Sequence, residues 1–368
     1  MKPVFNRVAI IGVGLIGGSL GMSLCARNLA GEVVGSGSRI ENLRLAQELG
    51  AVQRFAATPV EGVAGADLVI IATPVSATIP VLRQILPHLS PGVVVTDVGS
   101  TKAGIVRGAE NILPPGVNFI GGHPMAGSEQ GGVRGADPYL FENAFYVITP
   151  TSKTPPEALE AGRKLAGGVG GRVIEMTPER HDQAVAAVSH LPHLLAAALV
   201  NTVLQTPDSE GVLPLAAGGF RDTTRIAASS ALMWRDIFMA NKTQLLEMIR
   251  RFRGELTLFE NAIEQENDDV ILSRLESARA VRTTLPAKTK GYLPTLFEVL
   301  LNVPDLPGVI ASFTAYLAQA GINVMDIEIL RVREGEGGTI RLGFATGEEQ
   351  EGAVQVLGVK GYTVRKRF

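Results

Sequence analysis

Among the five histidines in this chain, His123 stands in a glycine-flanked run, GGHPMAGSEQGG, that also carries Ser128 and Glu129. A neutral imidazole there could accept a hydrogen bond or a proton from a reacting hydroxyl. Upstream, DVGSTK (97–102) offers Asp97 and Ser100. Downstream, an apolar helical stretch, 185–204, is expected to be interrupted by SHLPHLL, which places His190 and His193 near one face at i, i+3. Farther on, RDTTRIA and ALMWRDIF supply Arg221, Arg225, Trp234 and Arg235. Taken singly, each has a plainer reading: a satisfied core histidine, a surface ion pair, a buried tryptophan. A metal pair at His190 and His193 lacks a thiolate partner or an HExxH-like run, and no metal is expected.

A second constellation binds rather than reacts. GVGLIG (12–17) lies between an apolar strand pattern, RVAIIG (7–12), and a helical pattern running from Gly14 to Leu29. Gly12 suits the tight turn, Gly14 a close approach of backbone to pyrophosphate, and Gly17 the packing of helix on strand. The unpaired N–H groups of the first helical turn, at Leu15 and Ile16, then face the phosphates. The bland alternative is a glycine-rich structural turn. Residues 8–26 carry no charge and follow Lys2 and Arg7, so a signal peptide or membrane span competes as well. Glycines at 12, 14, 17, 18 and 21 make poor material for either.

The surrounding elements favour the nucleotide. EVVG (32–35) reads as a strand, 40–49 as a helix, DLVIIAT (67–73) as a buried strand, 79–86 as a helix, VVVTD (93–97) as a strand and 101–111 as a helix. This βαβα order implies a parallel Rossmann sheet with helices on both faces, and ligands at the carboxyl ends of its strands. Thr73, Pro74, Asp97 and Ser100 fall at such ends. The acid that would bind the ribose of NAD after the second strand is missing. In its place stand Ser36, Gly37, Ser38 and Arg39, whose hydroxyls and guanidinium suit a 2′-phosphate, so NADP is favoured or tolerated beside NAD. A solvated turn is the alternative there.

Length and composition set the outer limits. At 368 residues, two to three domains fit. A single cysteine, Cys25, cannot form an internal bridge, which suits a reducing cytoplasm. The net charge of −2 and the lack of any long like-charged block argue against nucleic acid as a partner. From Pro178 helical patterns dominate until about residue 296. Around VRTTLPAKTKGYLP (281–294) the pattern breaks into a linker, after which strand, helix, two strands, helix and strand give a ferredoxin-like βαββαβ order. The expected organisation is α/β: 1–177 a Rossmann NAD(P)-binding domain, 178–282 an all-helical substrate and dimerisation domain, 283–294 a linker, and 295–368 a small regulatory domain.

In order, GVGLIGGS, DLVIIATPV, TDVGSTK, GGHPMAGSE, SHLPH and DTTRIAASSALMWRDIF resemble the prephenate/arogenate (cyclohexadienyl) dehydrogenase family over residues 5–280. The resemblance implies a homodimer that oxidatively decarboxylates prephenate to 4-hydroxyphenylpyruvate in tyrosine biosynthesis. By resemblance His123 is the catalytic histidine with Ser100 as its companion. Arg225 takes a carboxylate, His193 faces the substrate's side chain, and Ser128 lies among the substrate contacts. Trp234 and Arg235 fall to packing or gating, and Glu129 to an arginine or a lid. The C-terminal run, with NVPDLPGVIASF and AGINVMDIEI, resembles an ACT domain, implying an effector site at Asp305, Gly308 and Asn323 with tyrosine as the candidate. A dimerisation module that binds nothing is the alternative.

Other readings remain. An arogenate dehydrogenase of the same family shares every motif. A hydroxyacid-type Rossmann dehydrogenase would share the first 100 residues but would use a helical-domain lysine, and none occurs from 178 to 240. A non-catalytic dinucleotide sensor would not need His123, Ser100 and Arg225. No membrane association is expected.

Overall fold

The computed structural model describes residues 2–127, 131–207, 209–284, 296–304, 306–330 and 338–367. The chain divides into two compact units, Met1–Ala287 and Lys288–Phe368. Ser128, Glu129, Asp305 and nearly all of the expected linker lie outside the described residues.

In the first unit, strands β1 (Phe5–Ile11), β2 (Ala30–Ser36), β3 (Arg54–Ala56), β4 (Leu68–Ile71), β5 (Val94–Asp97), β6 (Asn118–Pro124), β7 (Phe145–Thr149) and β8 (Arg172–Glu175) form one sheet. Its order is β3-β2-β1-β4-β5-β6-β7-β8. The first six strands are parallel, in the order of a Rossmann fold. Their apolar runs are buried because helices cover both faces: Val8, Ile10 and Ile70 pack to one side, Ala9, Ile11 and Ile71 to the other. β3, β7 and β8 go beyond the sequence reading, and β7 runs antiparallel to β6, so the sheet is mixed at that edge. The uncharged run 8–26 is accounted for by β1 and the buried 12-residue helix Leu15–Ala26. That helix is far shorter than the ~20 residues a membrane span needs.

The helical part corrects one expectation. SHLPHLL does not interrupt its helix: Pro178–Leu204 is continuous, with a π turn at Ala186–His190 between the helices Pro178–Val185 and Leu191–Leu204. Pro192 brings no N–H to the ladder, and the Leu191 N–H reaches back five residues to the Ala186 carbonyl. At the start, the Thr177 side chain accepts from the Arg180 N–H and Pro178 occupies the first turn, fixing where His181 and Asp182 emerge. Helices Ala231–Ala240, Lys242–Glu264 and Asp268–Thr284 follow.

The second unit is an antiparallel sheet of β9 (Phe297–Val303), β10 (Asp326–Leu330), β11 (Gly338–Phe344) and β12 (Thr363–Arg367), in order β10-β11-β9-β12. Helices Val309–Gln319 and Gly347–Val359 cover one face, where Phe313, Leu317 and Leu357 pack on Val299, Leu301 and Leu342. The expected βαββαβ order is present. On the other face Arg341 pairs with Glu298, Asp326 and Glu328.

Candidate active site

Where the strand order reverses, between β1 and β4, the glycines divide their work as the sequence reading expects. Gly12 has φ +97°, and a Cβ there would lie 2.6 Å from the Ala72 carbonyl oxygen. Its N–H donates to the Ser36 carbonyl at 2.8 Å, joining β1 to β2 at the turn. A Cβ on Gly17 would lie 2.2 Å from the Gly12 carbonyl oxygen, so only glycine lets the helix sit this close to the strand. Above Gly14 there is nothing within 4 Å. Gly14 caps Leu15–Ala26 with no side-chain hydrogen bond, which leaves the N–H groups of Leu15 and Ile16 directed at open space. Opposite, the Thr73 hydroxyl is buried without a partner, beside Pro74 at the start of the helix Val75–Ile85. Open space, uncapped amides and an orphan hydroxyl fit a dinucleotide's phosphates.

Two expected contacts, Ser36 and Asp97, are placed differently. Ser36 is 1% exposed, and its Oγ lies 3.3 Å from where a Cβ on Gly62 would stand, so it faces inward. Ser38 and Arg39 are exposed at the end of β2. Asp97, expected on the cofactor, is fully buried. Its carboxylate pairs with the ammonium of Lys102, also fully buried, and accepts from the Gly99 N–H at 2.9 Å and the Gly122 N–H at 3.4 Å. It anchors the loop that carries Ser100 rather than reaching a ligand.

His123 lies on β6 itself, not on the loop beyond it. The two glycines before it bring that strand close: a Cβ on Gly121 would meet the Thr149 hydroxyl at 2.3 Å, and one on Gly122 the Asp97 carbonyl oxygen at 2.8 Å. His123 Nδ1 is 2.8 Å from His181 Nε2, and His181 Nδ1 is 2.8 Å from Asp182 Oδ1. The Asp182 carboxylate also accepts the backbone N–H of Lys102 at 2.7 Å and of Ala103 at 2.9 Å, tying the Pro178–Val185 helix to the β5 loop. Burial, with His181, Lys102 and His190 nearby, holds His123 well below the ordinary histidine range, so at neutral pH it is an uncharged acceptor.

Two more histidines line the adjoining helix. His190 is 1% exposed, and its Nδ1 accepts from the Asn241 amide at 3.1 Å, while the same amide donates to the Asp182 carbonyl at 2.7 Å. Burial lowers its pKa to about 4. His193 stacks on Trp234 with ring centroids 3.6 Å apart and planes 9° from parallel. His193 Nδ1 and Trp234 Nε1 are both buried without a partner among the described residues, two polar edges available to a ligand. The Ala231–Ala240 helix that carries Trp234 packs on Val75–Ile85, where Ser76 donates to Asp236 at 2.6 Å. Arg225 lies on a 3₁₀ turn, Arg225–Ala228, that packs against Leu191–Leu204 and leaves the guanidinium exposed. Ser100 is half-buried in the loop between Asp97 and Lys102. Arg221 is exposed, and the exposed Arg235 pairs with Asp236.

Sequence reasoning missed His181, Asp182, Lys102 and Asn241. Only the first two left a local signal, the adjacent HD of PERHDQ just inside a helix start.

Residues 20–175 match the nucleotide-binding domain of prephenate dehydrogenase, 177–277 its dimerization domain, and 297–354 the ACT domain. The chain is 38% identical to the prephenate dehydrogenase of Bacillus subtilis over 97% of each chain. The crystal structure of prephenate dehydrogenase from Aquifex aeolicus, in complex with hydroxyphenyl propionate and NAD+, is 33% identical. It superimposes with a TM-score of 0.72 over 76% of this chain and 98% of that one. Synechocystis arogenate dehydrogenase gives a TM-score of 0.67 at 32% identity, over 76% and 99%. With a Rossmann sheet whose phosphate turn is open, a half-buried neutral histidine near the end of its sixth strand and a relative matched over 97% of each chain, the chain belongs to the prephenate dehydrogenase family of oxidoreductases.

Proposed function

We propose that this chain catalyses the NAD(P)-dependent oxidative decarboxylation of prephenate to 4-hydroxyphenylpyruvate. The observation that carries the reading is His123, uncharged, half-buried and fixed near the C-terminal end of β6. Prephenate bears a ring hydroxyl, a ring carboxylate and a pyruvyl side chain. Loss of hydride from the carbon bearing the hydroxyl, with loss of carbon dioxide, leaves an aromatic phenol, and aromatisation drives the step. When bound, the nicotinamide supplies the hydride acceptor.

The protein's own work is orientation and charge placement. His123 accepts the hydrogen bond of the ring hydroxyl, with Ser100 as its companion. Arg225 takes a carboxylate. The unpartnered edges of His193 and Trp234 meet the pyruvyl side chain. Ser128 stays a candidate substrate contact and lies outside the described residues. Gly12, Gly14, Leu15, Ile16, Gly17, Thr73 and Pro74 hold the dinucleotide. The exposed Ser38 and Arg39 let NADP bind beside NAD. In His123→Asn, kcat falls by about 10²- to 10⁴-fold; a kcat within threefold of wild type, at saturating substrate, overturns the assignment.

A homodimer is supported by apolar side chains left exposed on the long helices, Leu246, Leu256, Ile263, Leu272 and Leu275. The cytoplasm is the proposed location. In the ACT unit, Gly308 in the left-handed region at the start of Val309–Gln319, together with Asn323 and the undescribed Asp305, is the proposed effector site, with tyrosine as ligand. Removing residues 291–368 abolishes tyrosine inhibition and keeps catalysis; inhibition that survives the deletion refutes this.

A further inference from the structure

We propose that His181 and Asp182 are positioning residues that set the tautomer of His123 and share the positive charge it acquires during turnover. The argument rests on the reading of His123 as the group facing the reacting hydroxyl. The Asp182 carboxylate can only accept, and two backbone N–H groups and one imidazole nitrogen converge on it. His181 Nδ1 therefore carries a hydrogen, and in neutral His181 the other nitrogen, Nε2, bears a lone pair. That lone pair lies 2.8 Å from His123 Nδ1, which must then be the donor. By elimination His123 Nε2 is left bare, the atom needed to accept from a hydroxyl. The buried Asp182–His181 pair dictates which His123 nitrogen is the base.

The same contacts govern charge. The groups around His123 are Asp97 and Lys102 from the β5 loop, His181 and Asp182 from the Pro178–Val185 helix, and His190 from the π turn. Lys102 and the histidines oppose a proton on His123, and its burial does too. As the C–H bond breaks and its electron pair leaves as hydride, the hydroxyl proton moves to His123 Nε2. The proton on His123 Nδ1 moves toward His181 Nε2, and the charge comes to rest beside Asp182. The bond to carbon dioxide then breaks, and its electron pair completes the ring. Both protons return, so the phenol keeps its hydrogen and no net proton is released. A purely structural role for His181 would give none of this.

The test is ¹⁵N-histidine NMR together with steady-state kinetics on the full-length protein. With only five histidines the spectrum is assignable. In the wild type, His123 and His181 should both be Nδ1–H tautomers. His181→Gln keeps an oxygen to accept from His123 but cannot take a proton; His181→Leu offers neither. We expect kcat to fall at least 30-fold in His181→Leu, with KM for prephenate and dinucleotide affinity within threefold and a changed His123 tautomer. In His181→Gln the tautomer is restored and at least tenfold of the kcat returned. An Nε2–H tautomer at wild-type His123, a kcat within threefold in His181→Leu, or a His181→Gln no better than His181→Leu would each overturn the proposal. If His181→Leu does not fold, the wild-type tautomer decides. Loss of activity in His123→Asn is a separate result, so failure of the relay is distinguishable from failure of the reading beneath it.

Discussion

Two alanine substitutions three residues apart, Gly14→Ala and Gly17→Ala, should have opposite effects on stability and binding, as the turn's geometry dictates. At Gly17 the new Cβ would stand 2.2 Å from the Gly12 carbonyl oxygen, 3.0 Å from the Ala72 Cβ and 3.1 Å from an Ile10 methyl. An ordinary contact needs about 1 Å more, so the Leu15–Ala26 helix must back away from β1. Overpacking of this kind costs ~1–3 kcal/mol. At ~2–4 °C per kcal/mol for a domain of this size, the melting temperature falls by about 2–12 °C. Moving the Leu15 and Ile16 amides by ~1 Å also weakens dinucleotide binding and can cost turnover up to ~10²-fold. At Gly14 the Cβ meets nothing within 4 Å, so the apo protein should melt within about 2 °C of wild type. The methyl then occupies the space proposed for the pyrophosphate, and affinity for NAD and NADP alike should drop at least tenfold. The assays are a thermal melt without ligand and titration of each dinucleotide by calorimetry. Wild-type affinity in Gly14→Ala would refute the placement of the phosphates. A Gly14→Ala protein as unstable as Gly17→Ala would refute the division of labour.

Three further outcomes follow. Lys102→Met leaves the Asp97 carboxylate buried beside two amides but no cation, and should destabilise the fold by ~3–5 kcal/mol in urea titrations; a loss under 1 kcal/mol would contradict the pairing. His190 has a folded pKa of about 4 against an ordinary 6.5, so below pH 6.5 the unfolded chain takes up the proton first. Its contribution is therefore present above pH 6.5 and lost as pH falls toward 4, in total about 3 kcal/mol. Denaturation at pH 7 and pH 4.5 should show this loss reduced in His190→Gln, and equal pH sensitivity in the two proteins would contradict it. Since burial and its neighbours depress His123, the acid limb of kcat should lie below pH 6.5, and a limb above that value would mean that His123 is not held neutral.

Much of the frame was legible because local pattern and tertiary role coincide. The runs 8–11 of β1 and 68–71 of β4 are apolar throughout, as strands buried on both faces must be. GVGLIG fixes its own geometry through φ and close approach. The second unit was readable for the same reason: β9 alternates, and the strands and helices follow in the expected order. β7 could have been found, since FYVIT is aromatic and β-branched; β3, three residues long, could not. The π turn escaped because Pro192 reads as a helix boundary, whereas a shift of the ladder absorbs it. What sequence hid most completely was the support behind His123. Lys102 looks like a surface residue until its ammonium is seen against Asp97. Asp182 meets the Lys102 amide across 80 residues, and Asn241 meets the Asp182 carbonyl across 59. Such contacts have no spacing rule. Asp97 was misassigned for the converse reason: a carboxylate at a strand end suggests a ligand contact, but the buried lysine five residues on claims it.

The most direct test of the central claim is the initial rate of NAD and NADP reduction, followed by the absorbance of the reduced nicotinamide, with prephenate and arogenate as separate substrates. Prephenate-dependent reduction, lost in His123→Asn while dinucleotide binding remains, is the result the account predicts. Folded protein that binds a dinucleotide but reduces none in the presence of prephenate would contradict it.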